Sequence, residues 1–401
     1  MNPESQKPTA PASAEDVLAL LQKCCAPLEP QRVSLSDALG CVLREDIYAP
    51  EDQPAFDRSS VDGFAVRLDD SATEFRIVDE IRAGDWKPRE LQTGEAVRIA
   101  TGGALPGERL QVVMKEDVTL DDAKLRVLRR SRATNIRVRG EDARRGQTLV
   151  ATGTRLSPGA LALLASVGCA QPLVTRAPRG LHLATGNEII SPEQTPERGQ
   201  IRDSNSILVR SFLRHWNVTP TQQRLPEDET AVRAALEKLL PGTEVLLISG
   251  GASVGEHDFT RRLLVEAGFE ILVGKTNLRP GKPLIVARRG ATVAFGLPGN
   301  PLAHFVCLNL FVRAALERMS GERATSFQHG QLAVALTDAA NARETFWPAR
   351  VEFSDGAKLT PLNWSSSGDL TALASANALL RVPPNQGEFP VGAAVEFIPT
   401  I

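Results

Sequence analysis

Glu244-Val245-Leu246-Leu247-Ile248-Ser249-Gly250-Gly251-Ala252-Ser253-Val254-Gly255-Glu256-His257-Asp258 joins an apolar run to a glycine-rich turn closed by acidic residues. A short apolar run bounded by glycine suits a buried strand of a parallel sheet. Two further stretches repeat the plan. Gly180-Leu181-His182-Leu183-Ala184 runs into Thr185-Gly186-Asn187-Glu188, and Ala291-Thr292-Val293-Ala294-Phe295-Gly296-Leu297 runs into Pro298-Gly299-Asn300-Pro301. Helical spacing falls around 205–216, 228–240, 259–267 and 301–319. This alternation predicts a doubly wound α/β domain over 178–324. In such a sheet the three turns meet at the carboxyl ends of the strands, where ligands bind. Glycine lets backbone approach a ligand, and helix N-termini present free N–H groups to anions. The crevice is expected to receive phosphate or another oxyanion.

Working outward, residues 1–13 are polar and rich in proline and alanine, without the apolar core of a signal peptide, and are expected to form a disordered arm. Ser13 is a candidate N-cap for a helix from Ala14 to Leu21; helical spacing breaks at Pro27 and resumes near Ser36–Leu43. Pro158 and Gly168 frame a second helical stretch as first-turn residue and C-cap. Residues 14–46 and 147–177 thus form a helical linker and dimerisation region split around an insertion. The insertion, 47–146, carries short alternating runs at 74–81, 95–100, 110–120 and 124–130 and reads as mostly β. Residues 325–401, with runs at 331–336, 348–353, 378–383 and 393–399, read as a C-terminal β-barrel. The fold class is multidomain α/β plus β.

With 401 residues the chain exceeds one compact core, and a net charge of −2 gives no global attraction to nucleic acid or an anionic membrane. No run approaches the roughly 18 apolar residues of a transmembrane helix. Cys24, Cys25, Cys41, Cys169 and Cys307 are odd in number and form no C-x-x-C pair, which argues against a disulfide framework or a thiolate zinc site and fits a reducing, cytoplasmic location.

Glu188, Asp203 (in Arg202-Asp203-Ser204-Asn205) and Asp258 punctuate the predicted crevice. Hard carboxylate oxygens beside a phosphate site suit Mg2+; Asp203 and Asp258 suit helix caps equally well. Lys275-Thr276-Asn277-Leu278-Arg279-Pro280-Gly281-Lys282-Pro283 is a stiff cationic loop, able to hold an oxyanion or to lie as a solvated turn. Gly274-Lys275-Thr276 is no P-loop, because Phe269 stands where its first glycine is required. Gly251-Ala252-Ser253-Val254-Gly255 fits the nucleophile elbow of a serine hydrolase, with His304 or His329 as its base.

Laid side by side, these segments resemble the MoeA and gephyrin E-domain family. Pro54-Ala55-Phe56-Asp57-Arg58-Ser59-Ser60-Val61-Asp62-Gly63-Phe64-Ala65-Val66 resembles the family's P-x-F-D-x-S-x-M-D-G-Y-A-V. Ile99-Ala100-Thr101-Gly102-Gly103-Ala104-Leu105-Pro106 resembles I-x-T-G-A-x-x-P, and Arg139-Gly140-Glu141-Asp142 its R-x-x-G-E-D. The Thr185–Glu188, Asp203–Asn205, Ser249–Asp258, Pro280–Pro283 and Leu297–Pro301 elements follow in family order, so that the resemblance spans roughly 14–400.

The resemblance implies a four-part L-shaped subunit, a homodimer with active sites between subunits, and transient contact with a molybdopterin adenylyltransferase. It implies insertion of molybdate into adenylylated molybdopterin with release of AMP, dependent on Mg2+ held by Glu188 and Asp258. Thr185, Gly186, Asp203, Ser204, Asn205, Gly250, Gly251, Ser253, Gly255, Pro298, Gly299 and Asn300 would bind the pterin nucleotide. Asp62, Thr101 and Asp142 would join Glu188, Asp258 and Lys275 in catalysis, the first three from the partner subunit. Arg279, Lys282, Pro283, Arg350 and Ser367 would handle molybdate, Arg350 aligning through F-x-x-x-R and Ser367 through S-G-x-L. Arg279 replaces the usual lysine, Val61 and Phe64 the usual Met and Tyr, and Ala303 the serine of N-P-x-S, with His304 next to it. A gephyrin-like scaffold or pterin-binding paralogue is the alternative reading.

Overall fold

The computed structural model describes residues 10–122, 124–250 and 254–401, with 254–258 as backbone only. Two compact units emerge. One gathers the chain up to Arg44, Gly153–Pro158 and Gln171–Ile401; the other holds Glu45–Thr152 and Gly159–Ala170.

The first unit is built on six strands: β1 (Gly180–Thr185), β2 (Thr221–Leu225), β3 (Val245–Ser249), β4 (Glu270–Val273), β5 (Ile285–Arg289) and β6 (Thr292–Leu297), in the order β2-β1-β3-β6-β5-β4. Strands β2, β1, β3 and β6 run parallel, while β5 and β4 add antiparallel at one edge. Three of these strands match the apolar runs read from sequence. The sequence reading missed β2, β4 and β5, because β2 is a polar edge strand with only Leu225 buried, β4 is a four-residue edge strand with only Val273 buried, and β5 ends in two exposed arginines.

Alternation along the central strands sends side chains to two cores. Val245, Leu247, Val293 and Phe295 enter one, with Val209 and Phe212 of helix Asn205–His215 and Leu302 and Phe305 of helix Pro301–Cys307. Leu246, Ile248 and Ala294 enter the other, with Val232 and Leu236 of helix Glu229–Leu239 and Leu263 and Leu264 of helix Val254–Glu266. Each fully buried Leu, Val or Phe contributes roughly 1.5–3 kcal/mol, which fixes the register and with it the strand ends.

Helix Ala14–Cys24 begins with a capping box: Asp16 N–H donates to Ser13 Oγ at 3.1 Å and Ser13 N–H to Asp16 Oδ2 at 3.0 Å. The arm expected to be disordered is tied down by its end, where Ala12 N–H donates to Lys275 O and Asn277 N–H to Ala12 O; residues 1–9 lie outside the described residues. The helical spacing at Ser36–Leu43 yields one 3-10 turn, Leu35–Asp37, followed by Val42 and Leu43 bridged to Arg155 and Val174. The linker region is α-helical only at Ala14–Cys24 and Pro158–Ser166.

The C-terminal β-barrel closes through Glu344–Phe353, which pairs with both Ala357–Pro361 and Ala378–Val382. Gln328–Leu332 and Ala394–Pro399 complete the ring. Leu278–Arg279 pairs with Glu344–Thr345, anchoring the cationic loop to the barrel.

The second unit centres on a six-stranded sheet of Gly63–Arg67, Glu74–Ile81, Glu95–Ile99, Leu110–Met114, Val118–Asp121 and Lys124–Val127. The run at 110–120 is two strands separated by the 3-10 turn Lys115–Asp117. Phe64 is buried in its core.

In the first unit, Glu244 stands just before β3, where it accepts from Arg176 and Arg179 at 2.9 Å each and from Arg179 N–H at 2.7 Å. Burial opposes the charge, but these donors prevail and lower the carboxyl to about 2. Glu244→Gln is expected to destabilise the protein by about 2 kcal/mol at pH 7. The folded-state value lies below the unfolded one, so the stabilisation is complete above the ordinary glutamate range and fades as pH falls toward 2. Urea unfolding of both proteins should give curves that converge on acidification; a gap that widens would contradict the assignment.

Candidate functional site

Parallel pairing of β1 with β3 sets Ala184 opposite Ser249, so the two strands end side by side. The turns that follow nearly touch. A Cβ on Gly250 would lie 1.8 Å from Thr185 Oγ1, and the residue has φ +154°. Only glycine fits there. At Gly186, with φ +150°, a Cβ would meet Glu188 Oε2 at 2.8 Å, so the Glu188 carboxylate lies against its own turn. Glu188 is exposed, and its carboxylate has no hydrogen-bond or ion-pair partner among the described residues.

The third turn, Pro298-Gly299-Asn300, follows β6 and is held from two sides. Asn205 Nδ2 donates to Gly299 O at 2.7 Å, and Asn300 Nδ2 to Ser367 Oγ at 2.7 Å. Leu302 N–H donates to Ser367 O at 3.0 Å, fixing the helix start to the barrel loop. Asp203 is buried and accepts from Ser206 N–H at 2.9 Å, the geometry of a helix cap, while Ser204 makes no side-chain capping bond. Gly251 and Ser253 lie outside the described residues, as does the Asp258 side chain; Gly255 and Asp258 fall within helix Val254–Glu266.

Beside the third turn opens a cleft of about 250 Å³. Arg279–Pro283, Pro298, Asn300, Ala303, Arg343 and Trp364–Ser367 line it. Thr276 holds the cationic loop, its N–H donating to Lys282 O at 2.9 Å and its hydroxyl to Gly281 O at 3.0 Å. The Arg279 guanidinium sits 5.1 Å from the Trp364 ring centroid, a cation–π contact that leaves its N–H edges for an anion. Trp364 Nε1 is a buried donor with no partner among the described residues. Cations and hydroxyls on one wall suit a small oxyanion.

Arg279, Lys282, Pro283 and Ser367 therefore share a cleft with Pro298 and Asn300. Arg350 does not line it: it lies on a barrel strand between the buried Ala349 and Val351, is exposed, and pairs with Glu352 at 3.2 Å. Arg343, just before that strand, fills the cleft position instead, and its Nη1 donates to Leu278 O at 3.2 Å. Lys275 is half-buried and contributes its carbonyl to Ala12. The sequence reading missed Arg343, Trp364, Ser365 and Ser366, whose only local signal was a serine run beside a tryptophan.

Beneath the turns lies a buried chain that the sequence reading also missed. His182 Nε2 and His304 Nε2 each sit 2.7 Å from Ser249 Oγ, and Gln222 Nε2 is 2.6 Å from His182 Nδ1. Burial lowers His182 to about 3 and His304 to about 4, so both rings are neutral at physiological pH. A histidine inside the apolar strand Gly180–Thr185 was the available signal. The hydrolase reading loses its bases here, since His304 is committed to Ser249 and His329 is exposed on a barrel strand.

In the second unit, Asp62 Oδ1 accepts from Thr101 N–H at 2.8 Å and from its hydroxyl at 2.9 Å, with Lys115 3.5 Å from Oδ2. The Thr101 N–H, then its hydroxyl, hold the Asp62 carboxyl below the usual range. Asp62 lines a hollow of about 810 Å³ with Arg82, Arg98 and Lys115. Asp142 is exposed and bonded to Arg137.

Comparison with known proteins matches residues 12–168 to the MoeA N-terminal region (domain I and II), 182–318 to a probable molybdopterin binding domain and 329–400 to the MoeA C-terminal region (domain IV). The molybdopterin molybdenumtransferase of Bacillus subtilis is 34% identical, covering 92% of this chain and 90% of its own. That of Staphylococcus epidermidis is 29% identical, covering 97% and 96%. The solved molybdopterin biosynthesis MoeA protein of Pyrococcus horikoshii OT3 is 27% identical and superposes with a TM-score of 0.77, covering 97% and 99%. No helix among the described residues is long and apolar enough to cross a membrane.

The Gly250 contact gives a direct check. Gly250→Ala should destabilise the protein by about 2–3 kcal/mol, since β1 and β3 must part to admit the methyl group. A melting temperature within experimental error of wild type would contradict the close approach.

Proposed function

The chain belongs to the molybdopterin molybdenumtransferase family, and from that premise we propose that it inserts molybdate into adenylylated molybdopterin, with release of AMP and dependence on Mg2+. The observation that carries this reading is the cleft of Arg279, Lys282, Arg343 and Ser367 opening onto the Pro298–Asn300 turn. It offers an anion a cationic wall within reach of a nucleotide-type crevice.

The physical difficulty of the reaction is bringing a divalent oxyanion against a phosphoanhydride. Arg279, Lys282 and Arg343 offset the charge of the oxyanion, and their fixed loops hold it in place before reaction. The Ser366 and Ser367 hydroxyls supply neutral groups around it. Thr185, Gly186 and Gly250 let the nucleotide lie against backbone, and Asn205 and Asn300 orient the third turn. The exposed Glu188 carboxylate has the hard-oxygen chemistry that suits Mg2+, and with Asp258 it would hold the ion; bound there, Mg2+ would neutralise phosphate charge. We further propose that the chain works as a homodimer, with the Asp62–Thr101 pair and Asp142 of one protomer completing the site of the other.

One assay tests these statements together. Purified protein with adenylylated molybdopterin, Mg2+ and molybdate should release AMP, and Lys282→Ala should raise the KM for molybdate roughly tenfold, the equivalent of about 1.4 kcal/mol. At molybdate well below its KM, where Lys282→Ala alone keeps about a tenth of the wild-type rate and Asp62→Ala is expected to be silent, a mixture of the two protomers allowed to exchange should recover about a quarter of the wild-type rate, since half the dimers would carry one intact site. Binding of the pterin nucleotide without molybdate-dependent AMP release would replace this reading with that of a pterin-binding scaffold.

A further inference from the structure

The chain of polar groups beneath the turns has a fixed direction. Arg210 Nε donates to Gln222 Oε1 at 2.9 Å, and arginine has no acceptor to offer in return. The Gln222 amide nitrogen therefore points the other way, donating to Ser206 O at 2.9 Å and to His182 Nδ1. His182 Nδ1 must then be unprotonated, which puts the proton of the neutral ring on Nε2. That N–H donates to Ser249 Oγ, and the Ser249 hydroxyl donates onward to His304 Nε2. His304 is left with its own proton on Nδ1.

At that last atom the chain ends without an acceptor. His304 is fully buried, and Nδ1 has no hydrogen-bond partner among the described residues. The carbonyls of Asn300 and Pro298 favour a proton on the ring, yet neither meets hydrogen-bond geometry at Nδ1. Against the same turn, Asn205 spends its amide N–H on Gly299 O, while its buried Oδ1 has no partner among the described residues. An unmet donor and an unmet acceptor thus flank Pro298-Gly299-Asn300. Buried polar groups without partners are costly, and such pairs recur where a ligand or a small backbone shift completes them.

We propose that His304 is a positioning residue for the Pro298–Asn300 turn, acting through an Nδ1–H imposed by the chain Arg210–Gln222–His182–Ser249. A shift of the turn on nucleotide binding brings one of its carbonyls onto that N–H, so the ligand-bound arrangement is the better satisfied one. The role given to the turn rests on the pterin-nucleotide reading above; the tautomer does not.

Nitrogen-15 NMR of histidine-labelled full-length protein at neutral pH reads the tautomers directly. The expected result is neutral His182 protonated at Nε2 and neutral His304 protonated at Nδ1. Gln222→Met, on the edge strand β2 and outside the turns, removes the donor that sets the direction while keeping the side-chain length. It should give mixed tautomers at both histidines and raise the dissociation constant for adenylylated molybdopterin about fivefold. Wild-type His304 protonated at Nε2, or a variant whose tautomers and nucleotide affinity match wild type, would overturn the proposal. Wild-type protein with these tautomers that releases no AMP would instead refute the transferase reading.

Discussion

Two parallel strands end at the same level, and the residue after one of them has no room for a side chain. The Gly250 backbone lies so close to Thr185 that even a methyl group would overlap its hydroxyl. The position follows from the β1–β3 register, which the two packed cores fix by burying alternate side chains on opposite faces. Slipping that register by one residue would turn Leu246 and Ile248 toward the wrong helices. The ligand-facing turns are thus a consequence of core packing.

From this end of the sheet the structure extends in two directions. Sideways, Asn300 and Leu302 bond to Ser367, joining the third turn to the barrel loop and closing one wall of the cationic cleft. Inward, Ser249 bonds to two buried neutral histidines on neighbouring elements. The cleft is charged and open, whereas the two interior histidines are buried and neutral. Charge at the surface can be offset by an incoming anion, whereas charge on the buried histidines would carry a large desolvation cost.

Much of the α/β domain was legible in sequence because its central strands are buried on both faces and read as continuous apolar runs. The edge strand Thr221–Leu225 was not, since four of its five residues keep contact with solvent. The glycine turns and the loop 275–283 stood out because backbone requirements leave residue types that are visible locally. Arg343 did not, because what places it is the pairing of Leu278–Arg279 with Glu344–Thr345, a contact across 66 positions. The F-x-x-x-R resemblance favoured Arg350, which strand alternation turns outward. Asp203 carries both its local meanings in one place: it caps a helix and lies near the ring of His304, favouring its charged form. The chain from Arg210 to His304 joins five separate segments, and no local pattern announces it beyond one histidine in an apolar strand.

The oxyanion cleft is where the account is most exposed to test. Crystals of the protein soaked with tungstate, an isosteric stand-in for molybdate, allow the metal to be located by its anomalous scattering. The account predicts a peak between Arg279, Lys282, Arg343 and Ser367, in contact with the cationic wall. A peak at a different cationic surface, with this cleft holding none at saturating tungstate, would contradict it.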